Sequence, residues 1–292
     1  MTQTGKMTED RRFKALFFDV DGTLVSFRTH RVPDSAREAL CEAHERGVKL
    51  YIATGRAAKD LGVIEGIPCD GVVALNGSHC VTGDGRTVGS EPIPRADFEH
   101  ALALAGQWGF SLAFELDEGL FVNRLSSAAE EWARLVAHPV PVECDLRELF
   151  ERCECRQMCF FFDVATERRV MAELPGLMAT RWCPLFADIN VAGTSKATGL
   201  ELFARVDGFT PAETMAFGDG GNDAAMLRAA GVGVAMGNGC EEALRAADYV
   251  TASVDDDGLR RAFEHFGIIG RQGPASPQQK SVNENETMNI WH

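Results

Sequence analysis

The stretch FFDVDGTLV (residues 17–25) carries an apolar, strand-like run into two aspartates, Asp19 and Asp21, followed by glycine and threonine. Side chains alternate along a strand, so a strand running through this stretch predicts both carboxylates on one side. Two like charges about 5 Å apart repel by roughly 3 kcal/mol at an effective dielectric near 20. Such a pair calls for a counter-charge. A calcium loop is excluded by the count: starting from Asp19, the sixth position is Leu24 and the twelfth His30, where glycine and glutamate are required. Magnesium fits better, since it is held by one or two carboxylates, with water and substrate phosphate filling the remaining positions.

A second acid cluster repeats the design. MAFGDGGNDAAML (residues 215–227) runs an apolar strand into Asp219, a glycine-rich turn, then Asn222 and Asp223 at the expected start of a helix. Glycines allow close backbone approach to an anion or metal, and helix starts favour caps and anions. Two smaller signals accompany the clusters. YIATGR (residues 51–56) ends a strand in Thr54, Gly55 and Arg56, offering a hydroxyl and a backbone N–H to phosphate, and VAGTSKATGL (residues 191–200) sets Lys196 near a helix start as a point cation. Each of these alone reads as an ordinary turn or a solvated lysine.

Between and around these motifs the chain alternates strand and helix. A helix after Val32, with Ser35 and Glu38 spaced as a capping box and Gly47 as a left-handed stop, leads to strands over 48–53 and 71–75. The middle differs: a hairpin about Gly83–Gly85, a helix over 95–108, strands over 110–115 and 120–124, a helix over 126–137, a strand over 157–164, a helix over 166–173 and a strand over 177–182. Alternation then resumes with helices over 195–206, 223–230 and 241–247 and strands over 214–217 and 232–235. The expected fold class is therefore α/β, a doubly wound, Rossmann-like parallel sheet interrupted by an α+β insert. The core spans 12–80 and 187–268, the insert 81–186, and 269–292 forms a disordered tail rich in Gln, Ser, Asn and Pro. In such a sheet both acid clusters emerge at the carboxyl ends of parallel strands, where ligands bind.

Composition narrows the function. The chain has 292 residues, 45% hydrophobic and 25% charged, as a globular protein does. A net charge of -14 without a basic cluster argues against nucleic acid. No run approaches the roughly 18 apolar residues of a membrane span, and MTQTGKMTEDRRFK lacks the apolar core of a signal peptide, so a cytoplasmic location without membrane contact is expected. Nine cysteines, with no C-x-x-C pair, suggest free thiols; Cys153, Cys155 and Cys159 come nearest to a cluster. Gly193-Thr-Ser-Lys196 is no P-loop, and no G-x-G-x-x-G, G-x-S-x-G or H-E-x-x-H occurs.

DVDGTL at 19–24, ATGR at 53–56, Lys196 and GDGGND at 218–223 together resemble the haloacid dehalogenase (HAD) superfamily of phosphotransferases. They are most similar to its Cof-type, sugar-phosphatase-like members with a type IIB cap. The resemblance implies a phosphomonoester hydrolase for a small phosphorylated metabolite, working through an aspartyl-phosphate. It makes Asp19 the nucleophile and Asp21 the general acid and base. Magnesium (Mg2+) would be bound by the Asp19 carboxylate, the Asp21 carbonyl and Asp219, supported by Asp223. Thr54, Gly55, Lys196 and Asn222 would hold the phosphoryl group, with Arg56 and Asn76 as further substrate contacts. Ala197 stands where the family often has glycine, which bears on helix packing rather than chemistry. A phosphomutase shares the DVDGTL opening, although its fourth motif resembles a longer loop; a non-catalytic binder that has kept the fold is the other alternative.

Overall fold

The computed structural model describes residues 13–135 and 139–270. The first sheet collects β1 (Ala15–Phe18), β2 (Lys49–Ala53), β3 (Gly71–Ala74), β4 (His79–Thr82) and β5 (Thr87–Ser90). The second holds β6 (Ser111–Leu116), β7 (Gly119–Val122), β8 (Val142–Glu143), β9 (Met158–Phe161), β10 (Leu177–Cys183) and β11 (Phe186–Val191). The chain then returns to the first sheet with β12 (Thr214–Gly218), β13 (Val232–Ala235) and β14 (Tyr249–Val250).

In the first sheet the order is β14-β13-β12-β1-β2-β3-β4-β5, parallel from β14 to β3. Strand β1 reads ALFF and is buried at every position, as a parallel strand covered on both faces must be. One face packs Leu16, Phe18, Ile52 and Phe217 against the helices Asp34–Glu45 and Gly258–His265. The other packs Phe17, Tyr51 and Ala53 against Leu200 and Phe203 of the helix Lys196–Asp207. Successive crossovers run outward in opposite directions from β1 and β12, whose registers pair Phe18 with Phe217. That seam is the topological switch point, where a crevice opens at the carboxyl ends of the strands.

The second sheet, ordered β10-β11-β9-β6-β7-β8, is antiparallel except where β7 meets β8. Its core is aromatic, with Phe98 of the helix Arg95–Trp108 packed edge-on to Phe114.

Several expectations are corrected. The hairpin about Gly83–Gly85 exists, but its strands extend the first sheet, β4 lying antiparallel to β3. Hydrogen bonding thus carries the core through Ser90, and the boundary expected at 80/81 falls inside β4. Likewise 186/187 falls at the start of β11, which pairs with β9 and β10 of the insert sheet. The Ser35/Glu38 capping box does not form: the helix begins at Asp34 with Pro33 before it and no side-chain cap. Ser35 donates to Asp257 at 2.6 Å and Glu38 pairs with Arg260 at 3.4 Å, so long-range partners claim both. Gly47 does take the left-handed conformation, at φ 84°. The helix expected over 126–137 is seen as Ser127–Leu135, and residues 136 and 137 lie outside the described residues. Ile268 and Ile269 are buried in the core, so packing continues past the expected start of the tail; from 271 onward that expectation lies outside the described residues. Among the described residues no helix is long and apolar enough to cross a membrane.

The helix Lys196–Asp207 lies close on β3 because Gly199 faces it, and a Cβ there would stand 2.2 Å from Val73 Cγ1. Gly199→Ala is expected to overpack this seam and cost about 1–3 kcal/mol in chemical denaturation. A midpoint equal to that of the unsubstituted protein would contradict the packing.

Candidate functional site

Strand β1 ends at Phe18, one residue before the first acid, and Asp19 N–H still bonds Phe217 O of β12 at 3.0 Å. The chain then turns through Gly22 at φ 89°, where a Cβ would fall 2.2 Å from the Asp219 carboxylate. Because Asp21 lies in this turn rather than in the strand, the alternation expected for the pair does not apply. Each carboxylate has a cation of its own. Lys196 Nζ donates to Asp19 Oδ1 at 2.5 Å, while Arg56 grips Asp21 with Nε at 2.7 Å and Nη2 at 2.8 Å. Arg56 was expected at the substrate; the structure places it on Asp21, with Asp60 as its further partner at 3.3 Å.

Lys196 opens its helix behind Ser195, whose hydroxyl caps Thr198 N–H while Thr198 Oγ1 caps Ser195 N–H. This fixes a fully buried ammonium between Asp19 and Asp223, the second contact being 2.6 Å. Burial disfavours its charge, but the two carboxylates outweigh burial and hold its pKa above the usual lysine value. Burial pushes the Asp19 carboxyl up, as do Asp223, Asp219 and Asp21, and Lys196 opposes them.

The carboxylate of Asp223 is fully engaged. Oδ1 takes Lys196, and Oδ2 accepts the N–H groups of Asp219 and Gly220 at 3.0 and 2.8 Å, tying the Gly218–Asp223 loop into shape. Asp219 accepts from Thr23 Oγ1 at 2.9 Å and has no lysine or arginine partner among the described residues. Burial, then Asp223, pushes its pKa up to about 7. Oxygens of Asp19, Asp219 and Asp223 lie within 4.8 Å of one another. Three acids against one lysine leave about two negative charges when ionised, on hard oxygen donors, which suits a divalent cation of the magnesium class.

The remaining expected residues gather nearby. Thr54 is buried at the end of β2, its carbonyl accepting Asn76 N–H at 2.9 Å. Asn76, left-handed at φ 53°, accepts from Asn222 Nδ2 at 3.1 Å. The Gly55 carbonyl accepts Gln157 Nε2 at 3.0 Å, next to the second sheet.

Residues that the motifs did not signal line this sheet where it meets the core. Glu115 accepts from Ala57 N–H at 3.2 Å and Gln157 Nε2 at 2.7 Å; Asp188 accepts from Asn76 Nδ2 at 3.2 Å. Asn190 donates to Leu75 O, Ser78 Oγ and Gln157 Oε1. Cys159 lies between the acids, its Sγ 3.7 Å from Glu115 and 3.6 Å from Asp188. Burial raises both acids, Glu115 to about 8 with Asp188 adding to the effect, and Asp188 to about 7. The available sequence signal is acids standing in largely apolar strands, SLAFEL and FADINV.

A parallel sheet with buried acids at its switch point, covered by a second sheet that reaches into the same crevice, defines an α/β enzyme with a separate cap. The profile of the haloacid dehalogenase-like hydrolases matches residues 16–263, and the chain belongs to that family. Its structure superposes with a TM-score of 0.87 on BT1666 from Bacteroides thetaiotaomicron, studied among phosphatases of the superfamily, at 52% identity over 92% of this chain and 100% of that one. With the HAD subclass IIB sugar phosphatase BT4131 the TM-score is 0.81 and the identity 38%, covering 88% of this chain and 100% of the other. The 5-amino-6-(5-phospho-D-ribitylamino)uracil phosphatase YcsE of Bacillus subtilis is 27% identical over 271 residues, 88% of this chain and 97% of the relative.

Lys196→Met leaves Asp19 and Asp223 buried without their cation, and a stability loss of about 3–5 kcal/mol is expected by urea denaturation near neutral pH. The deficit should narrow as pH falls, because carboxylates stripped of the lysine bind protons more readily folded than unfolded. A deficit that widens on acidification would contradict this reading of the ion cluster.

Proposed function

We propose that the protein is a magnesium-dependent phosphomonoester hydrolase acting on a small phosphorylated metabolite, a sugar phosphate or similar, through an aspartyl-phosphate on Asp19. The observation that carries this reading is the setting of Asp19: at the β1/β12 switch point, oriented by Lys196 and within 4.8 Å, oxygen to oxygen, of Asp219. The family match and the named phosphatases among its relatives support it.

An Asp19 oxygen attacks phosphorus, the ester P–O bond breaks, and Asp21 gives the departing alcohol its proton. Asp21 then takes a proton from water, whose oxygen attacks the phosphoryl group, freeing phosphate and restoring Asp19. Splitting one displacement into two lowers each barrier, and the proton transfers contribute about 10²–10⁴-fold. In this structure Arg56 holds both Asp21 oxygens, so Asp21 has to release this pairing through one oxygen to carry the proton. Lys196 keeps Asp19 aimed, and with Thr54, the Gly55 N–H and Asn222 it would receive phosphoryl oxygens. Magnesium, held by Asp19, the Asp21 carbonyl and Asp219 with Asp223 behind them, would supply positive charge against the phosphoryl oxygens. The cap closes the crevice, which excludes water and selects the leaving group. All nine cysteines are free, which fits a reducing, cytoplasmic compartment.

Release of phosphate from p-nitrophenyl phosphate tests the assignment. Asp19→Asn is expected to reduce turnover by about 10³-fold or more. Removing magnesium with a chelator should abolish turnover of the unsubstituted protein, and adding it back should restore it. Substantial activity in the Asp19→Asn variant would overturn the nucleophile.

A further inference from the structure

Where the second sheet meets the Gly55–Ala57 backbone, it presents a group of hydrogen-bond acceptors. Glu115 on β6 and Asp188 on β11 bring carboxylate oxygens within 4.8 Å of each other, and neither is paired with a lysine or arginine among the described residues. Asn190 lies two residues along β11 from Asp188, on the same face; it is 1% exposed, and its Oδ1 has no hydrogen-bond partner. The wall adjoins the catalytic residues: a Cβ on Gly55 would lie 3.3 Å from Asp188 Oδ2, and Asp188 shares Asn76 with Asn222 of the acid loop.

The donors are already committed. Asn76 Nδ2 serves Gln157 and Asp188, Gln157 Nε2 serves Gly55 and Glu115, and Asn190 Nδ2 faces four acceptors. A ligand group meeting this wall faces carboxylates, while the side-chain amides of Asn76, Gln157 and Asn190 are already spent and the ammonium whose charge reaches Asp188, that of Lys196, is held by Asp19 and Asp223. Hydroxyl groups are donors and satisfy such a wall, whereas a carboxylate or second phosphate is repelled by it and left unpaired.

We propose that Glu115 and Asp188, with the orphan Oδ1 of Asn190, form a charge filter for the leaving group. The filter admits phosphate esters of neutral, hydroxyl-rich alcohols and rejects esters whose alcohol carries a carboxylate or another phosphate. This deepens the phosphatase reading and rests on it.

Sorbitol 6-phosphate and 6-phosphogluconate test the filter, because they differ only in a terminal CH2OH against a carboxylate. Measured at pH 8.5 with magnesium, kcat/KM for the polyol ester should exceed that for the acid by about tenfold or more. Glu115→Gln and Asp188→Asn each remove a charge and supply an N–H donor. At least one of them should shrink the ratio by about threefold or more. The ratio is taken within each variant, so a loss of folded protein cancels. A smaller ratio in the unsubstituted protein, or one that neither variant shrinks to that extent, would overturn the filter alone. Absence of p-nitrophenyl phosphate hydrolysis by the unsubstituted protein would instead overturn the phosphatase reading, and the filter with it.

Discussion

A fully buried ammonium held between two carboxylates is the contact around which the molecule is organised. Taking a lysine and two acids out of water costs several kcal/mol per ion, and their mutual attraction repays this only with close geometry and further hydrogen bonds. Both conditions are met: the contacts are 2.5 and 2.6 Å, and the remaining Asp223 oxygen accepts two backbone N–H groups. Lys196 thereby joins three separate segments, the end of β1, the loop after β12 and the helix that returns from the cap. Replacing a buried ion cluster by well-packed apolar residues is often neutral for stability, so the charges point to a role beyond holding the fold.

The sheet supplies the geometry. Parallel strands buried on both faces end in side chains that point into one crevice, and the order reversal at β1 and β12 opens that crevice between them. Asp19 and Asp219 stand at adjacent strand ends because Phe18 and Phe217 are in register. Gly22 makes the approach of the two loops feasible, since any side chain there would strike the Asp219 carboxylate. The cap then closes from the opposite side through Glu115 and Gln157, which bond the Gly55–Ala57 backbone directly.

The core and its acids were legible in the sequence because their signals are local. DVDGTL and GDGGND each pack acids and glycines into six residues, and apolar runs such as ALFF announce a buried strand. What failed was nonlocal. Ser35 and Glu38 have the spacing of a capping box but bond Asp257 and Arg260, 222 residues away. The two-residue strands β8 and β14 are too short for any periodicity to show. Glu115, Gln157, Asp188 and Asn190 form one network only when β6, β9 and β11 lie side by side, so the apolar neighbours of the two acids hint at each one singly but not at the network. A chain position likewise cannot reveal that the Arg56 guanidinium grips the Asp21 carboxylate.

The central claim is that acids distant in the chain converge on one cation beside a lysine-held nucleophile. Anomalous diffraction from crystals grown with manganese in place of magnesium tests it most directly. A single strong peak within coordination distance of both the Asp19 and Asp219 carboxylates is the predicted result. A peak elsewhere, or side chains at 19 and 219 too far apart to share one ion, would contradict it.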